Sequence, residues 1–146
     1  MARALHAPHM RSLTGPGAAL RNDPAYQAWQ ILHVAFIVAP IVAGLDKFFG
    51  LLVNWDQYLA PIFAQMSPVG GHNLMLVIGV VEVIAGLVVF WNPRIGGYLV
   101  AVWLWGIILN LLLIPAYFDI ALRDFGLSLG ALALARLSET FRGRTW

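Results

Sequence analysis

The chain contains four long apolar runs, separated by short breaks that carry proline, asparagine or charged residues. The runs cover about residues 29–53, 73–91, 95–113 and 117–137, so each has roughly 19 to 25 residues. An α-helix needs about 20 apolar residues to cross a hydrocarbon core of about 30 Å. The runs therefore predict an all-α protein, an integral membrane four-helix bundle.

The composition is that of a protein whose solvent is largely lipid. Of the 146 residues, 60% are hydrophobic and only 11% are charged, whereas a soluble domain of this size needs a larger polar surface. The sequence pI of about 9.4 by itself would suit nucleic-acid binding. The charges lie mostly outside the apolar runs, however, where they set orientation in a bilayer. We therefore expect the lipid bilayer as a partner and no nucleic acid.

Several kinds of reactive site are excluded or not indicated. The absence of cysteine excludes disulfides, thiol nucleophiles and thiolate metal sites. The four histidines do not have metal-ligand spacing, and no nucleophile and base form a recognisable pair, so no catalytic residue is identified. We expect no metal and no intrinsic cofactor. Redox chemistry would then need a bound molecule, such as quinone, or a partner protein.

The basic residues indicate the orientation of the chain in the membrane. Residues 1–27 contain no apolar segment typical of a signal peptide and are interpreted as a flexible cytoplasmic tail. Residues 28–137 form the predicted transmembrane domain, and residues 138–146 form a second cytoplasmic tail. This arrangement places seven of the nine basic residues in the cytoplasm and leaves Lys47 and Arg123 outside, as the positive-inside rule favours.

The first outer loop has the pattern of a short amphipathic helix. Asn54 is a suitable N-cap, while Pro61 should kink or shorten the helix. The segment is too short to span a bilayer and is rich in aromatic residues that favour interfaces, so we expect it to lie along the membrane surface. Its apolar residues have the spacing of one helix face: Trp55, Tyr58, Leu59, Ile62, Phe63 and Met66.

Two polar residues lie within the apolar runs. Glu82 is near the middle of the second run, and Gly79 and Gly86 share its face, which should therefore point into the bundle. Glu82 either fixes packing, being protonated or hydrogen-bonded to a group such as Asn110, or serves as a proton carrier or ligand contact. Asn110 in the third run is typical of hydrogen bonding between helices, and is alternatively a candidate for ligand binding or a proton path.

A cluster of charged residues is predicted at the outer ends of the first and fourth helices. It comprises Asp46, Lys47, Asp119, Arg123 and Asp124. Asp119 and Arg123 have the i,i+4 spacing of an ion pair, and Lys47 can reach a neighbouring carboxylate. Such ion pairs could hold the fourth helix, the most polar span, to the bundle. Alternatively, the cluster forms an outward-facing polar pocket for a lipid head group or a quinone carbonyl.

Aromatic residues and small residues complete the predicted pocket. Trp55 and Tyr58 in the outer loop would cover it, and Trp103 could line it, although packing or lipid contact also explains Trp103. In the fourth run, Gly126 and Gly130 form a small-residue surface suited to close helix packing.

Four segments resemble the DoxX-like family of small bacterial membrane proteins. They are GLDKF at residues 44–48, NWDQYLAP at 54–61, GVVEVIAG at 79–86 and RDFGL at 123–127, and the resemblance covers roughly residues 30–137. It implies a four-helix bundle in the bacterial cytoplasmic (inner) membrane. Members with named functions include a small subunit of a thiosulfate:quinone oxidoreductase and partners of oxidative-stress enzymes, so family membership indicates fold more than chemistry.

The sequence leaves three functional hypotheses open. The first is a quinone-linked oxidoreductase subunit, in which Asp46, Lys47, Glu82 and Arg123 supply polar contacts and a proton path while a partner subunit brings electrons. The second is a non-catalytic scaffold or anchor that recruits an enzyme through its basic tails. The third is a small transporter or a lipid-acting membrane enzyme that uses Glu82 as acid or base. Each is compatible with a homo-oligomer, and whether the chain is an enzyme stays open.

Overall fold

The computed structural model describes residues 16–141, which are helical throughout apart from short connections and contain no strand. The all-α prediction is therefore confirmed. The predicted tail residues 1–15 and 142–146 lie outside the described range. The helices are α1 (Pro16–Arg21), α2 (Pro24–Phe49), a 3₁₀ helix (Trp55–Tyr58), α3 (Pro61–Met66), α4 (Gly71–Trp91), α5 (Pro93–Leu112) and α6 (Phe118–Thr140).

Three helices, α2, α4 and α5, are long and apolar enough to cross a membrane, which indicates a multi-pass membrane protein. Helix α6 has 23 residues but is more polar, since five of its residues are charged. The four long helices form two closely packed pairs, α2 with α4 and α5 with α6. Contacts between the pairs, from α4 to α5 and from α2 to α6, are fewer, so space is left between them.

Proline and a preceding polar residue start two of the long helices. Asp23 accepts a hydrogen bond from the backbone N–H of Ala25 at 2.9 Å, and Pro24 occupies the first turn of α2. Asn92 likewise accepts from the N–H of Ile95 at 3.1 Å before α5. Proline suits the first turn because its missing N–H would have no helical partner there. Helix α2 therefore begins inside the segment interpreted as a tail, which also contains α1.

Aromatic packing joins α2 to α6 at one end of the molecule. This end, where α2 begins and α6 ends, is called the tail end, and the opposite end is called the loop end. The indole N–H of Trp29 donates to Ser138 Oγ at 2.8 Å. Tyr26 stacks on Trp29 and contacts the ring of Phe141 edge-on. Because Trp29 and Phe141 are almost fully buried, this cluster fixes the tail end of the α2–α6 contact.

The loop between α2 and α4 contains two short helices where one was predicted. Asn54 caps the 3₁₀ helix, as predicted, by accepting from the N–H of Asp56 at 3.2 Å. The chain is extended at Leu59 and Ala60, and α3 begins at Pro61. Proline has no N–H to donate and would clash with the preceding turn, so it ends one helix and starts another.

Glycines bring α2 and α4 together, and of the two glycines predicted to pack closely in α6 only one does. A Cβ placed on Gly44 would lie 2.5 Å from the carbonyl oxygen of Gly79, so only glycine allows this approach. A Cβ on Gly126 would meet nothing within 4 Å, and one on Gly130 would touch only side chains, the nearest being Phe36 at 3.3 Å. Gly130 therefore packs closely against the Phe36 side chain of α2, whereas the close packing predicted at Gly126 is wrong.

Candidate functional site

A cavity of about 890 Å³ lies between the two helix pairs and extends beneath the loop that carries the 3₁₀ helix and α3. Small-molecule sites in proteins commonly have volumes of about 300–1,000 Å³ and mainly apolar walls with a few polar groups. Helices α2, α4, α5 and α6 each contribute to the wall, which is mainly apolar. The cavity is therefore large enough for an organic ligand and has the surface of a site for an apolar one.

A buried ion pair lies in the wall of the cavity. Lys47 Nζ donates to Glu82 Oε2 at 2.5 Å, and the two side chains are only 2% and 9% exposed. The same ammonium lies 3.8 Å from the centre of the Trp55 ring and 3.4 Å from the carbonyl oxygen of Ala43. An ammonium has three N–H donors. The carboxylate, the carbonyl and the aromatic face therefore account for the donors of Lys47.

The Glu82 carboxyl has a second aromatic neighbour, Trp103 of α5. The indole N–H of Trp103 interacts with this carboxyl, although it makes no hydrogen bond of standard geometry within the described part of the chain. Glu82 and Trp103 both line the cavity. Lys47 therefore holds the carboxyl at the junction of the two helix pairs, and Trp103 lies on the same cavity wall.

Asp46 has a structural role beside the pair. Its carboxylate accepts from the backbone N–H groups of Leu51 and Leu52 at 2.9 and 3.1 Å, and from the indole N–H of Trp55 at 2.7 Å. Gly50 follows the last residue of α2, and its φ of +60° is the left-handed conformation that glycine tolerates. Asp46 therefore ties the chain after α2 back to the helix and fixes Trp55 over the lysine. Its own side chain does not line the cavity.

Asn110 holds the loop segment in place over the cavity. Its Oδ1 accepts from the N–H of Ala60 at 2.9 Å, and its Nδ2 donates to the carbonyl oxygen of Tyr58 at 2.6 Å. These two backbone groups lie at the break between the short helices, where no helical partner is available. The ring of Tyr58 also packs edge-on against the ring of Tyr117, with 4.9 Å between the ring centroids. Asn110 therefore bonds to the loop, and not to Glu82 as one prediction had it.

The charged residues at the start of α6 pair differently from the prediction. Arg123 Nε lies 3.3 Å from Asp124 Oδ1, and the two side chains are 65% and 8% exposed. Asp119 is exposed, forms no ion pair among residues 16–141 and does not line the cavity. The predicted Asp119–Arg123 pair is wrong: the guanidinium instead contacts Asp124, whose buried carboxylate has little access to water. Since Arg123 and Asp124 are neighbours in α6, their pair does not attach that helix to the bundle.

The structure brings most of the predicted site residues to one place. Asp46 and Asp119 lie off the cavity wall. The lining includes eight of the ten candidates: Lys47, Trp55, Tyr58, Glu82, Trp103, Asn110, Arg123 and Asp124.

Two features were missed from the sequence. The first is the cavity itself, which is lined by Gly106 and Gly126, where an added Cβ would meet nothing within 4 Å. The sequence does not distinguish these two glycines from glycines that let helices pack closely. The pairing of Lys47 with Glu82 had a signal, since the chain's only lysine needs a counter-charge if it enters a membrane.

Exposed residues of the cavity lining flank the seam between α2 and α6. These helices are joined at the tail end by Trp29 and Ser138, and fewer contacts link them than join either close pair. Farther toward the loop end, Ala35 and Ala39 of α2 and Gly126 of α6 line the cavity and are exposed. Small residues on both sides of this seam leave room for an apolar chain to pass.

Comparisons with protein-family models, curated proteins and solved structures found no significant match to this chain. Within residues 16–141, no group of three or more histidine and acidic side chains could hold a metal ion. The chemistry on which a functional assignment depends is therefore that of the cavity and its polar residues.

Proposed function

We propose that the protein is a small subunit of a quinone-linked oxidoreductase that binds a quinone or lipid in the cavity between its helix pairs. The supporting observation is the buried Lys47–Glu82 pair in the wall of a mainly apolar cavity of about 890 Å³. The apolar wall suits a hydrocarbon tail, and the ion pair gives the polar head one place to bind. The α2–α6 seam provides a route from the bilayer.

The division of chemistry between this chain and its ligand follows from the residues present. A bound quinone would supply the redox chemistry, since reduction of a quinone to a quinol takes up two electrons and two protons. The electrons would come from a partner redox protein, because the chain has no thiol of its own. The Lys47–Glu82 pair would lie beside the polar head, and Trp55 and Tyr58 would limit the access of water from the loop end.

We also propose that α6 is a fourth membrane crossing, with both termini in the cytoplasm of a bacterial cell. Helix α6 forms a closely packed pair with α5, and its residues 125–135 carry no charge. Arg123 and Arg136 flank this stretch, and long basic side chains can reach a membrane interface. Arg94 and Arg136 both contact Glu139 at the tail end, which puts them on the side that the positive-inside rule assigns to the cytoplasm.

Single-cysteine variants test this topology, because the natural chain has no cysteine. Ala116→Cys and Thr140→Cys place exposed thiols near opposite ends of α6. In intact cells, a membrane-impermeant maleimide should label position 116 and should label position 140 only after permeabilisation. Labelling of both positions from the same side would show that α6 does not cross.

Ligand binding is tested by thermal unfolding of the detergent-purified protein with decylubiquinone. A ligand at 100 times its Kd stabilises the native state by about 2.7 kcal/mol, which is roughly 5–11 °C in Tm for a chain of this size. Gly126→Leu should remove the shift by filling the cavity, where a Cβ meets open space. Gly17→Leu, also at an open position but away from the cavity, should retain it. Equal shifts in the two variants would exclude this cavity as the site.

A scaffold that recruits a partner enzyme is the second candidate. It is favoured by the exposed basic side chains at the tail end, where Arg136 is 70% exposed and Arg94 is 43% exposed. Such groups can dock a protein or contact anionic lipid. Purification in a mild detergent should then recover one partner in fixed proportion, and loss of that partner in an Arg94→Ser, Arg136→Ser variant would locate the contact. Recovery of the chain alone would count against this function.

A further inference from the structure

The polar groups around the cavity differ in whether a ligand can reach them. The Lys47 side chain is only 2% exposed, and its ammonium is directed at Glu82, the Ala43 carbonyl and the face of Trp55. A ligand oxygen could accept from this lysine only by displacing one of these groups. Lys47 is therefore a poor donor to a ligand, although it lies on the wall.

Glu82 differs from its partner, because its carboxylate retains acceptor capacity. Oε2 accepts from Lys47, and the side chain is 9% exposed and lines the cavity. An ionised carboxylate has about four lone-pair sites on two oxygens. The Trp103 Nε1 atom is itself buried, so a ligand does not reach it as a donor.

The remaining polar side chains of the lining offer less to a ligand head. Both ends of the Asn110 amide are bonded to the loop backbone. Arg123 is 65% exposed and pairs with Asp124 beside the seam, where water competes for it. Asp124 is a second buried carboxylate on the wall, 8% exposed, and its Oδ1 lies 3.3 Å from this exposed guanidinium. The buried polar groups that a ligand can reach are therefore carboxylates, which accept hydrogen bonds, and Glu82 is the one at the junction of the two helix pairs.

We propose that the cavity selects ligands whose polar head is an O–H donor at the end of a long apolar tail, with the O–H bonded to Glu82. This inference rests on the proposed function, that a quinone or lipid occupies the cavity. Among quinone-type ligands it favours the reduced quinol over the oxidised quinone, because only the quinol has hydroxyl groups. Among lipids it favours one with a free hydroxyl, such as a diacylglycerol.

Two pairs of ligands that differ in O–H groups test the proposal. The pairs are decylubiquinol with decylubiquinone, and 1,2-dioctanoylglycerol with its 3-O-methyl ether. Their Kd values for the purified protein are measured by equilibrium dialysis in detergent, without oxygen for the quinol. We expect the O–H form to bind at least tenfold more tightly in at least one pair, a difference of about 1.4 kcal/mol. The pair that shows it identifies the source of the ligand.

A double variant assigns the preference to the carboxylate. Lys47→Met combined with Glu82→Leu removes both charges, so no unpaired charge is buried and the protein should fold. In this double variant, the Kd of the O–H ligand and the Kd of its counterpart without the O–H group should lie within about twofold of each other. The matched control is Arg94→Met combined with Glu139→Leu, which removes an ion pair at the tail end and should leave the preference unchanged.

The outcomes separate this inference from the proposed function. If none of the four ligands binds, the proposed function itself fails. If both members of each pair bind equally, or the form without O–H binds more tightly, the cavity binds ligands but does not select O–H donors. A preference that survives in the Lys47, Glu82 double variant overturns the assignment to Glu82.

Discussion

Removing one partner of the Lys47–Glu82 pair should destabilise the protein far more than removing both. The perturbation is Lys47→Met, which retains an unbranched apolar side chain and deletes the charge. It leaves the Glu82 carboxylate, 9% exposed, without its partner at 2.5 Å. It also deletes the contact of the ammonium with the Trp55 ring.

The expected size follows from this burial. Breaking a buried ion pair by removing one partner typically costs about 3–5 kcal/mol, because the remaining charge is uncompensated. We expect the lower value, about 3 kcal/mol, because the cavity gives the carboxylate some access to water. At about 2–4 °C per kcal/mol for a chain of this size, the Tm should fall by roughly 6–12 °C. Lys47→Met with Glu82→Leu should recover most of that loss.

The assay is thermal unfolding in one detergent for the two single variants, the double variant and a control. Arg136→Met is the control, since it deletes a cation that is 70% exposed and lies 3.2 Å from Glu139. An exposed pair of this kind contributes about 0–1 kcal/mol. If the effects of the two single variants simply add in the double variant, there is no coupling, and the reasoning from the buried pair is refuted.

Three further outcomes are expected. Asn110→Leu removes two hydrogen bonds that hold the loop, each worth about 0.5–1.5 kcal/mol, and should speed limited proteolysis between α2 and α4; unchanged cleavage would contradict this role. Gly44→Ala should destabilise by about 1–3 kcal/mol through overpacking, whereas Gly106→Ala, with nothing within 4 Å of its Cβ, should be neutral or stabilising; Tm values compare the two. Trp55→Ala should increase the labelling of Lys47, the only lysine, by an amine reagent at least tenfold, measured by peptide mass spectrometry; equal labelling would show that the indole does not shield it.

The pairing of Lys47 with Glu82 was not predicted from the sequence. Helices α2 and α4 cross where Gly44 meets Gly79. Lys47 lies three residues from this crossing toward the loop end, and Glu82 lies three residues from it toward the tail end. At 1.5 Å per residue the two backbones differ in depth by about 9 Å. The sequence predicted that Lys47 would join the outer charges, but the long side chain turns inward, because Trp55 covers the loop side and Glu82 is the carboxylate within reach.

The sequence by itself determined the all-α class, three helices capable of crossing a membrane, the Asn54 cap and the break at Pro61. These features depend on local properties, namely the length of an apolar run, the missing N–H of proline and the short reach of a capping side chain. Only the tertiary structure decided that Asp46 caps the end of α2, that Asn110 holds the loop, and that a cavity lies beside Glu82. Those features depend on the stagger and divergence of helices that are distant in sequence, and a lysine or a glycine has the same local signature whether it packs, pairs or leaves space.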